Sequence, residues 1–254
     1  MKIRVSLAVL ALLAMLPATA GATEIKVLVT TAMKGAMDEL AAAFEGATPH
    51  KVAVSYGPSG ALAKRIAGGE AADLVVFAGG VDELIARGKI VAAGRTDIAH
   101  AKIGVAVRKG EPRPDIATIE AFKRTLLSAK SVAFADPASG GASGVYLAKM
   151  LEHLGIATEI NAKARLARGG PDGMVSAIVA RGDAAIGLQQ ISEIMSVAGV
   201  DLVGPLPDEL QTVTTYVAGI PATASQPDVA LAFIKFLITP SAAAVYREKG
   251  LEPD

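Results

Sequence analysis

Apolar and polar positions follow two periods along this chain, and together they predict strands and helices in alternation. β-Branched runs such as "EIKVLVT", "HKVAVSY" and "ADLVVFA" are typical of strands. Each is followed by a segment with helical spacing, as in the one that places Met33, Met37, Leu40 and Phe44 on one face. A strand–helix alternation of this kind predicts an α/β fold, with a mostly parallel sheet covered by helices on both faces.

A second α/β series follows an interruption by two prolines in "EPRPDI". The run Lys102–Gly110 is predicted as a strand, and the second series then extends from "TIEAFKRTLLSA" to "AAIGLQQ". The chain passes through "GVDLVGPLPDELQTVTTYVAGI" and ends in two helices, "DVALAFIKFLIT" and one around Ser241–Lys249. Two series predict two lobes, and we expect residues 23–103 with 216–254 in lobe 1 and residues 104–215 in lobe 2.

The first 22 residues predict a cleavable secretory signal peptide. Lys2 and Arg4 precede an apolar run, Val5–Leu16, and small residues that fit an A-x-A cleavage pattern. A membrane anchor is the alternative, but the run is short for a span, and no later stretch is long and apolar enough. The chain contains no cysteine, which excludes a lipid-modified cysteine and disulfides. We therefore expect a periplasmic protein without a lipid anchor, held together by an ordinary aliphatic core.

Charge and motif content exclude several classes of function. Without Lys2 and Arg4 the net charge is about −2, and no basic cluster with interleaved aromatics predicts a nucleic-acid partner. His50, His100 and His153 lack metal-ligand spacing, so we expect no metal. Phosphate-binding glycine motifs are absent, and "GPSGA" and "GASGV" lack the last glycine of a nucleophile elbow. We expect no cofactor.

Four loops share one design, in which a strand ends, small residues follow and a helix begins. The first turn of a helix has unpaired N–H groups and partial positive charge, and small side chains let an anion approach them. Ordinary helix capping is the better explanation of each loop when it is taken alone. Ligands gather at the strand ends of open α/β sheets, so the four loops together predict a shared anion cleft. Their polar and glycine residues are Thr30 and Thr31; Ser59; Ser139 and Ser143; and Gly169, Gly170 and Asp172.

Ionisable residues near these loops have simpler interpretations. Basic residues near the loops and the lobe crossing are expected on solvated faces. Asp73 and Asp136 are expected to form hydrogen bonds at a strand end and a turn. Tyr56 and Tyr216 fit either the core or the cleft. The basic residues are Lys34, Lys64, Arg65, Arg108 and Lys109.

The ordered set of these motifs resembles a known family. The segments "VLVTTAMKGAMDELAAAFE", "YGPSGALAKRIAGGEAADLVVFA", "ADPASGGASGVYLAKMLEHLGI" and "VARGDAAIGLQQISEI" are similar to the periplasmic molybdate-binding proteins of ABC transporters. The resemblance covers nearly the whole mature chain. It implies a two-lobed class II solute-binding protein, with the ligand in a cleft between lobes that close like a hinged trap.

The resemblance also implies ligand-binding positions. Gln190 stands where the family usually has a tyrosine, and the first loop reads "TTAM" instead of the usual Ala-Ala-Ser pattern. An amide both donates and accepts, which favours an organic di- or tricarboxylate over molybdate. The implied positions are Thr30, Thr31 and Ala32; Ser59 and Gly60; Ala142 and Ser143; Asp172 and Gly173; and Gln190.

The "DPASGGASG" and "VRKGEPRPDI" segments look closest to a branch that includes periplasmic aconitate isomerases. Two hypotheses stay open. The first is a monomeric binding protein that captures a small anion and delivers it to a membrane ABC permease. The second is an aconitate isomerase, which shifts a proton along an allyl system and needs a general base. The nameable candidates for that base are Lys34, Tyr56, His100 and Asp136.

Overall fold

The computed structural model describes residues 21–139, 142–169 and 173–254. The predicted signal peptide falls almost wholly outside them, as do Gly140, Gly141, Gly170, Pro171 and Asp172.

The described elements alternate between strands and helices, as expected from the hydrophobic pattern. The strands are β1 (Glu24–Thr30), β2 (Lys51–Gly57), β3 (Leu74–Ala78), β4 (Ile90–Arg108), β5 (Val132–Ala135), β6 (Ala164–Ala167), β7 (Ile186–Gln190), β8 (Val200–Pro205), β9 (Val213–Pro221) and β10 (Glu252–Pro253). The helices are α1 (Lys34–Ala47), α2 (Ser59–Ala67), α3 (Val81–Ala86), α4 (Ile119–Ser128), α5 (Ala142–His153), α6 (Ala157–Asn161), α7 (Val175–Ala180), α8 (Ile191–Met195), α9 (Pro227–Leu237) and α10 (Pro240–Glu248).

The strands form two sheet regions joined by one long strand. The order is β2-β1-β3-β9-β4-β7-β5-β6, with β8 and β10 also paired to β4. Pairs among β1, β2 and β3 and among β5, β6 and β7 are parallel, as predicted. The central strands β4 and β9 pair antiparallel to their neighbours. Each lobe therefore keeps a parallel part whose strands end at one common edge.

β4 is longer than the sequence predicts. Only Lys102–Gly110 was expected as a strand, but β4 spans Ile90–Arg108 and pairs with β9 as far as Lys102 and with β7 from Ile103. Register shifts between Val91 and Thr96 and between Asp97 and Ala99 disturb the two-residue alternation that marks a strand. β8 and β9 likewise form in a segment where no element was predicted. The predicted lobe boundaries stay a prediction.

Separate apolar cores lie on the two sheet regions. One packs β1 and β3 against α1 and α9, with Phe44 and Phe233 fully buried at its centre. Another packs β5 and β7 against α4 and α5 around Phe122 and Phe134. No single described helix is long and apolar enough to cross a membrane; α9 and α10 pass that test only as a pair, bent by 66°.

Candidate functional site

A cavity lies between the two sheet regions, at the carboxyl ends of their parallel strands. Its volume is about 80 Å³. Since one water molecule needs about 10–15 Å³, this is room for roughly five to eight waters or a small ligand. Its lining residues are Thr30, Thr31, Ala32, Pro58, Ser59, Ala78, Ala135, Ser139, Ser143, Ala167, Gly169, Gly173, Met174, Val175, Gln189, Gln190, Glu193 and Tyr216.

Lobe 1 contributes a hydroxyl pair fixed by the backbone. Ser59 begins α2, and its Oγ donates to Thr30 Oγ1 at 3.1 Å. The amide of Ala78, the last residue of β3, donates to the same Ser59 Oγ at 3.1 Å. Both hydroxyl-bearing residues are buried, at 5% and 6% exposure. One serine thus joins the ends of β1 and β3 and sets the positions of the hydroxyls that face the cavity.

The start of α2 at the cavity has no side-chain cap. Pro58 precedes α2 and makes no side-chain cap hydrogen bond, whereas α1 continues from the turn at Thr31, whose carbonyl accepts from the Lys34 amide. Away from the cavity, Thr118 caps α4 by accepting from Ala121 N, and Thr239 caps α10 by accepting from Ala242 N. Amides left without an internal acceptor at a cavity wall are available to an anion.

Lobe 2 contributes two buried glutamines at the end of β7. Gln189 Oε1 accepts from Ser176 N at 3.0 Å and from Ser176 Oγ at 2.8 Å. Gln190 Nε2 donates to Thr214 Oγ1 at 2.9 Å, and its Oε1 has no hydrogen-bond partner among the described residues. Because a hydroxyl donates as well as accepts, the Gln190 amide can turn over and offer its N–H to a ligand instead.

Glu193 places a carboxyl group on the cavity wall. It lies in the first turn of α8, three residues after Gln190. Burial raises the pKa of its carboxyl to about 7, although a hydrogen bond with the Gln189 side chain acts in the opposite direction. Ser192, next to it, donates from Oγ to the carbonyl oxygen of Ala32 at 2.8 Å. This bond ties the short helix to the first loop of lobe 1 and fixes where Glu193 stands.

Tyr216 brings a buried hydroxyl to the same cavity. It lies on β9, opposite Ala78 of β3 and Ala99 of β4. The residue is 1% exposed, and its hydroxyl has no hydrogen-bond partner among the described residues. Burial and the nearby charge of Glu193 raise the pKa of Tyr216 well above its usual value. The phenol therefore stays protonated at neutral pH and can donate a hydrogen bond.

Most of the predicted ligand-binding positions meet at this cavity. Thr30, Thr31, Ala32, Ser59, Ser143, Gly173 and Gln190 line it. Gly60 is the second residue of α2 and does not line the cavity. Ala142 begins α5, and its side chain is outside what the structure describes, while Asp172 lies outside the described residues. Ligand binding by these positions stays a prediction.

The four candidate bases lie away from the cavity and have other partners. Lys34 Nζ pairs with Asp38 at 2.5 Å and lies 4.6 Å from the centre of the Tyr56 ring. Tyr56 donates its hydroxyl to the same Asp38, at 2.5 Å. These contacts hold both groups on α1 and β2, outside the cavity lining.

The other two candidates are also engaged elsewhere. His100 lies between Thr215 Oγ1 and Asp254 Oδ1, at 3.1 Å from each. Asp136 accepts from the amide of Ala138 and from Arg168, and both bonds lower the pKa of its carboxyl. Neither residue lines the cavity.

The cavity lining contains no lysine, arginine or histidine among the described residues. Within the same part of the chain, no group of three or more His, Asp or Glu side chains could hold a metal ion. Any anion in this cavity would be held by hydroxyl and amide donors and not by opposite charge.

The sequence alone did not predict Glu193 or Gln189 as site residues, and it did not decide whether Tyr216 lies in the core or in the cleft. A usable signal was the glutamate that follows β7 after three residues, since the first turn after a parallel strand faces the strand-end edge. No short-range signal places Tyr216, because its orientation depends on pairing with both β3 and β4.

Known proteins share this fold and, in one case, much of the sequence. Aconitate isomerase from a Pseudomonas species is 37% identical over 238 residues, which cover 91% of this chain and 88% of that protein. The periplasmic molybdate-binding protein of Azotobacter vinelandii superposes with a TM-score of 0.75 at 22% identity, over 89% of this chain and 98% of the other. The sulfate-binding protein SubI of Mycobacterium tuberculosis H37Rv gives 0.72 at 20% identity, over 91% and 87%.

The fold is that of the two-lobed class II solute-binding proteins, which confirms the predicted fold class. The chain belongs to the family of bacterial extracellular solute-binding proteins, whose model matches residues 25–252. The predicted resemblance is confirmed, including the branch that contains aconitate isomerases. At 20–22% identity, the solved structures show the fold alone.

Proposed function

We propose that this protein binds a small organic polycarboxylate in the cavity and acts as an aconitate isomerase. The observation that carries the proposal is the partly buried carboxyl group of Glu193 on the wall of a cavity otherwise suited to an anion. In a protein that only binds an anion, an ionised carboxyl group at the site would repel the ligand and weaken binding. A proton shift needs a group of this kind, with a pKa near neutral.

The binding half of the proposal rests on the donors around the cavity. Hydroxyls of Thr30, Thr31, Ser59 and Ser143 line it, and α2 starts there with uncapped amides. A tricarboxylate has several oxygens that can meet these donors at once from both lobes. Closure of the lobes around the ligand would exchange its water shell for fixed protein donors.

The similarity to the Pseudomonas enzyme supports the reaction type. An identity of 37% over 91% of the chain is well above that of the molybdate- and sulfate-binding neighbours. In this proposal residues 1–22 direct export to the periplasm, and the mature protein is a monomer.

A second candidate function is capture of an anion for an ABC permease. The family fold and the uncapped start of α2 favour it. It differs from the first candidate in one respect that can be measured: a binding protein returns its ligand unchanged.

Turnover separates the two functions. The protein consisting of residues 23–254 is incubated with cis-aconitate, and the trans isomer is followed by chromatography. Appearance of the trans isomer at a rate proportional to protein concentration supports the isomerase. Absence of turnover contradicts it, and a thermal-shift panel of molybdate, tungstate, sulfate, citrate and both aconitates then identifies the ligand.

A matched pair of variants tests the cavity itself. Thr31→Trp fills the cavity and should abolish turnover or ligand-induced stabilisation. Thr158→Trp places the same side chain at an exposed position of α6, outside the cavity lining, and should change neither. Equal behaviour of the two variants would show that the ligand binds elsewhere.

A further inference from the structure

Glu193 is not accounted for by the usual role of a glutamate in the first turn of a helix. Such a residue normally caps backbone amides or interacts with the helix dipole. α8 has five residues, and Gln190 at its N-cap makes no side-chain cap bond. The Glu193 carboxyl forms no ion pair in the described part of the chain, and the residue lines the cavity. Its position is better explained by contact with a ligand.

Two further polar groups at the cavity lack a hydrogen-bond partner that a ligand could supply. Tyr216 and Gln190 are 1% and 2% exposed, and the Tyr216 hydroxyl and Gln190 Oε1 lack partners among the described residues. Buried polar groups are nearly always paired, so two such groups beside one carboxyl indicate that a polar ligand completes them.

We propose that Glu193 removes and returns the proton in the isomerisation, while Tyr216 donates a hydrogen bond to the substrate carboxylate that collects negative charge. This assignment rests on the proposed function. A raised pKa fits the role, since a carboxyl that titrates near 7 accepts and donates protons at neutral pH. The protonated Tyr216 hydroxyl suits a donor to developing negative charge.

The proposed step balances without an added reactant. Glu193 carboxylate takes a proton from the substrate CH₂ carbon, and the electrons of that C–H bond form a new C=C bond. The electrons of the old C=C bond pass to the far allyl carbon, with negative charge shared by its carboxylate near Tyr216. Glu193 then returns the proton to that far carbon. The conformation about the CH₂–C single bond when the proton is removed sets the geometry of the new C=C bond, so rotation about that single bond before deprotonation interconverts the cis and trans isomers.

The other charged and titratable groups on the elements around α8 have partners of their own. α7 and β7, which pack against α8, carry no charged residue. Charged and titratable side chains on α1 and β4 contact other partners, as Lys34 does Asp38, Lys102 does Glu252 and His100 does Asp254. Asp201 on β8 accepts from the amide of Gly110. The titratable group coupled to Glu193 is Tyr216, whose pKa is raised and not lowered.

The test is Glu193→Gln, which keeps the size and a hydrogen-bonding head but cannot accept a proton from carbon. We expect kcat to fall at least about 100-fold, with aconitate affinity from calorimetry within about threefold of wild type. Glu120→Gln is the matched control, since Glu120 is an exposed glutamate in the first turn of α4. It should leave kcat and affinity unchanged.

Two additional readouts separate catalysis from folding. Wild-type kcat/KM should rise with pH through about 7, as the carboxylate forms in the free enzyme, and thermal unfolding should show Glu193→Gln to be folded. In D₂O the Glu193 carboxyl can exchange the proton it has removed for a deuteron before returning it, so the wild type should place deuterium on the substrate CH₂ carbon over repeated turnovers, followed by proton NMR, and the variant should not.

The outcomes distinguish the two proposals. A wild-type protein that binds aconitate without isomerising it overturns the proposed function. A wild-type protein that isomerises aconitate while Glu193→Gln keeps kcat within about threefold overturns the assignment to Glu193 and leaves the function standing. A large loss of kcat with preserved affinity and preserved folding supports both.

Discussion

Asp73 in lobe 1 and Glu193 at the cavity are carboxyl groups withdrawn from solvent, yet their surroundings differ. Asp73 accepts from the amides of Lys26, Ser225 and Gln226 and from Ser225 Oγ, at 2.8–2.9 Å. Burial acts to raise the pKa of Asp73, but these hydrogen bonds outweigh it and hold the pKa below its usual value. Burial raises the pKa of Glu193 to about 7, opposed only by the Gln189 side chain.

The comparison shows that burial alone does not decide what a carboxyl group does. Donors fixed by the backbone keep Asp73 ionised and make it a joint between β1 and the start of α9. Glu193 has few fixed donors, so either protonation state is accessible near neutral pH. In the sequence, Asp73 and Glu193 are both acidic residues next to a strand. Only the hydrogen-bond donors around each carboxyl group distinguish a structural role from a chemical one.

The largest expected effect on stability comes from removing the Asp73 carboxyl group. Asp73→Ala leaves three part-buried backbone amides without an acceptor and should lower the free energy of unfolding by about 3–5 kcal/mol. Urea denaturation measures the change. Asp183→Ala is the control, because Asp183 pairs with Arg181 on the surface, and the cost of that change should stay below about 1 kcal/mol. A similar loss of unfolding free energy in both variants would show that Asp73 has no special structural role.

Glu193→Gln should have a smaller effect on stability, and the effect should depend on pH. The folded-state pKa is raised from 4.5 to about 7, so the folded protein binds the proton more tightly than the unfolded chain. Wild type therefore loses stability relative to the variant as pH rises from about 4.5 to about 7, by at most about 3 kcal/mol.

Chemical denaturation of both proteins at pH 5 and pH 9 checks the pH dependence. A stability difference that is the same at both pH values would mean that Glu193 titrates normally and is not like a functional carboxyl.

The smallest stability effect is expected at Tyr216. Its hydroxyl is unpartnered among the described residues, so Tyr216→Phe should change unfolding free energy by less than about 1 kcal/mol, and in the stabilising direction. Turnover should nevertheless fall by about tenfold or more, since a donor to the charged intermediate is lost.

Tyr246→Phe provides the matched control for thermal unfolding. The Tyr246 hydroxyl donates to the carbonyl oxygen of Leu237 at 2.9 Å in the lobe 1 core, so this variant should lose about 1 kcal/mol and keep full turnover. The reverse pattern, a destabilised Tyr216→Phe with normal turnover, would give Tyr216 a structural role.

Periodicity was sufficient to predict the strand–helix order, because long helices such as α1 and uniformly buried strands such as β3 have clear apolar patterns. It failed for the first half of β4, where register shifts disturb the alternation. It also failed for α8, since five residues hold little more than one helical turn.

The site was partly predictable for a related reason. Thr30, Thr31, Ser59 and Ser143 follow strand ends, and the strand ends of a parallel sheet share one edge, so small residues there can be expected to meet. Tyr216 enters the cavity from β9, an antiparallel neighbour whose pairing is set by the tertiary fold. The raised pKa of Glu193 likewise follows from the donors it lacks, which no local sequence window contains.

The most direct test of the account is a crystal structure of the Glu193→Gln variant with bound trans-aconitate. We expect substrate carboxylates against the α2 amides and the Thr30–Ser59 hydroxyl pair, with one carboxylate accepting from Tyr216. The substrate CH₂ carbon should lie within about 3–3.5 Å of the side chain at position 193. A ligand bound outside this cavity, or one whose CH₂ carbon faces away from position 193, would contradict it.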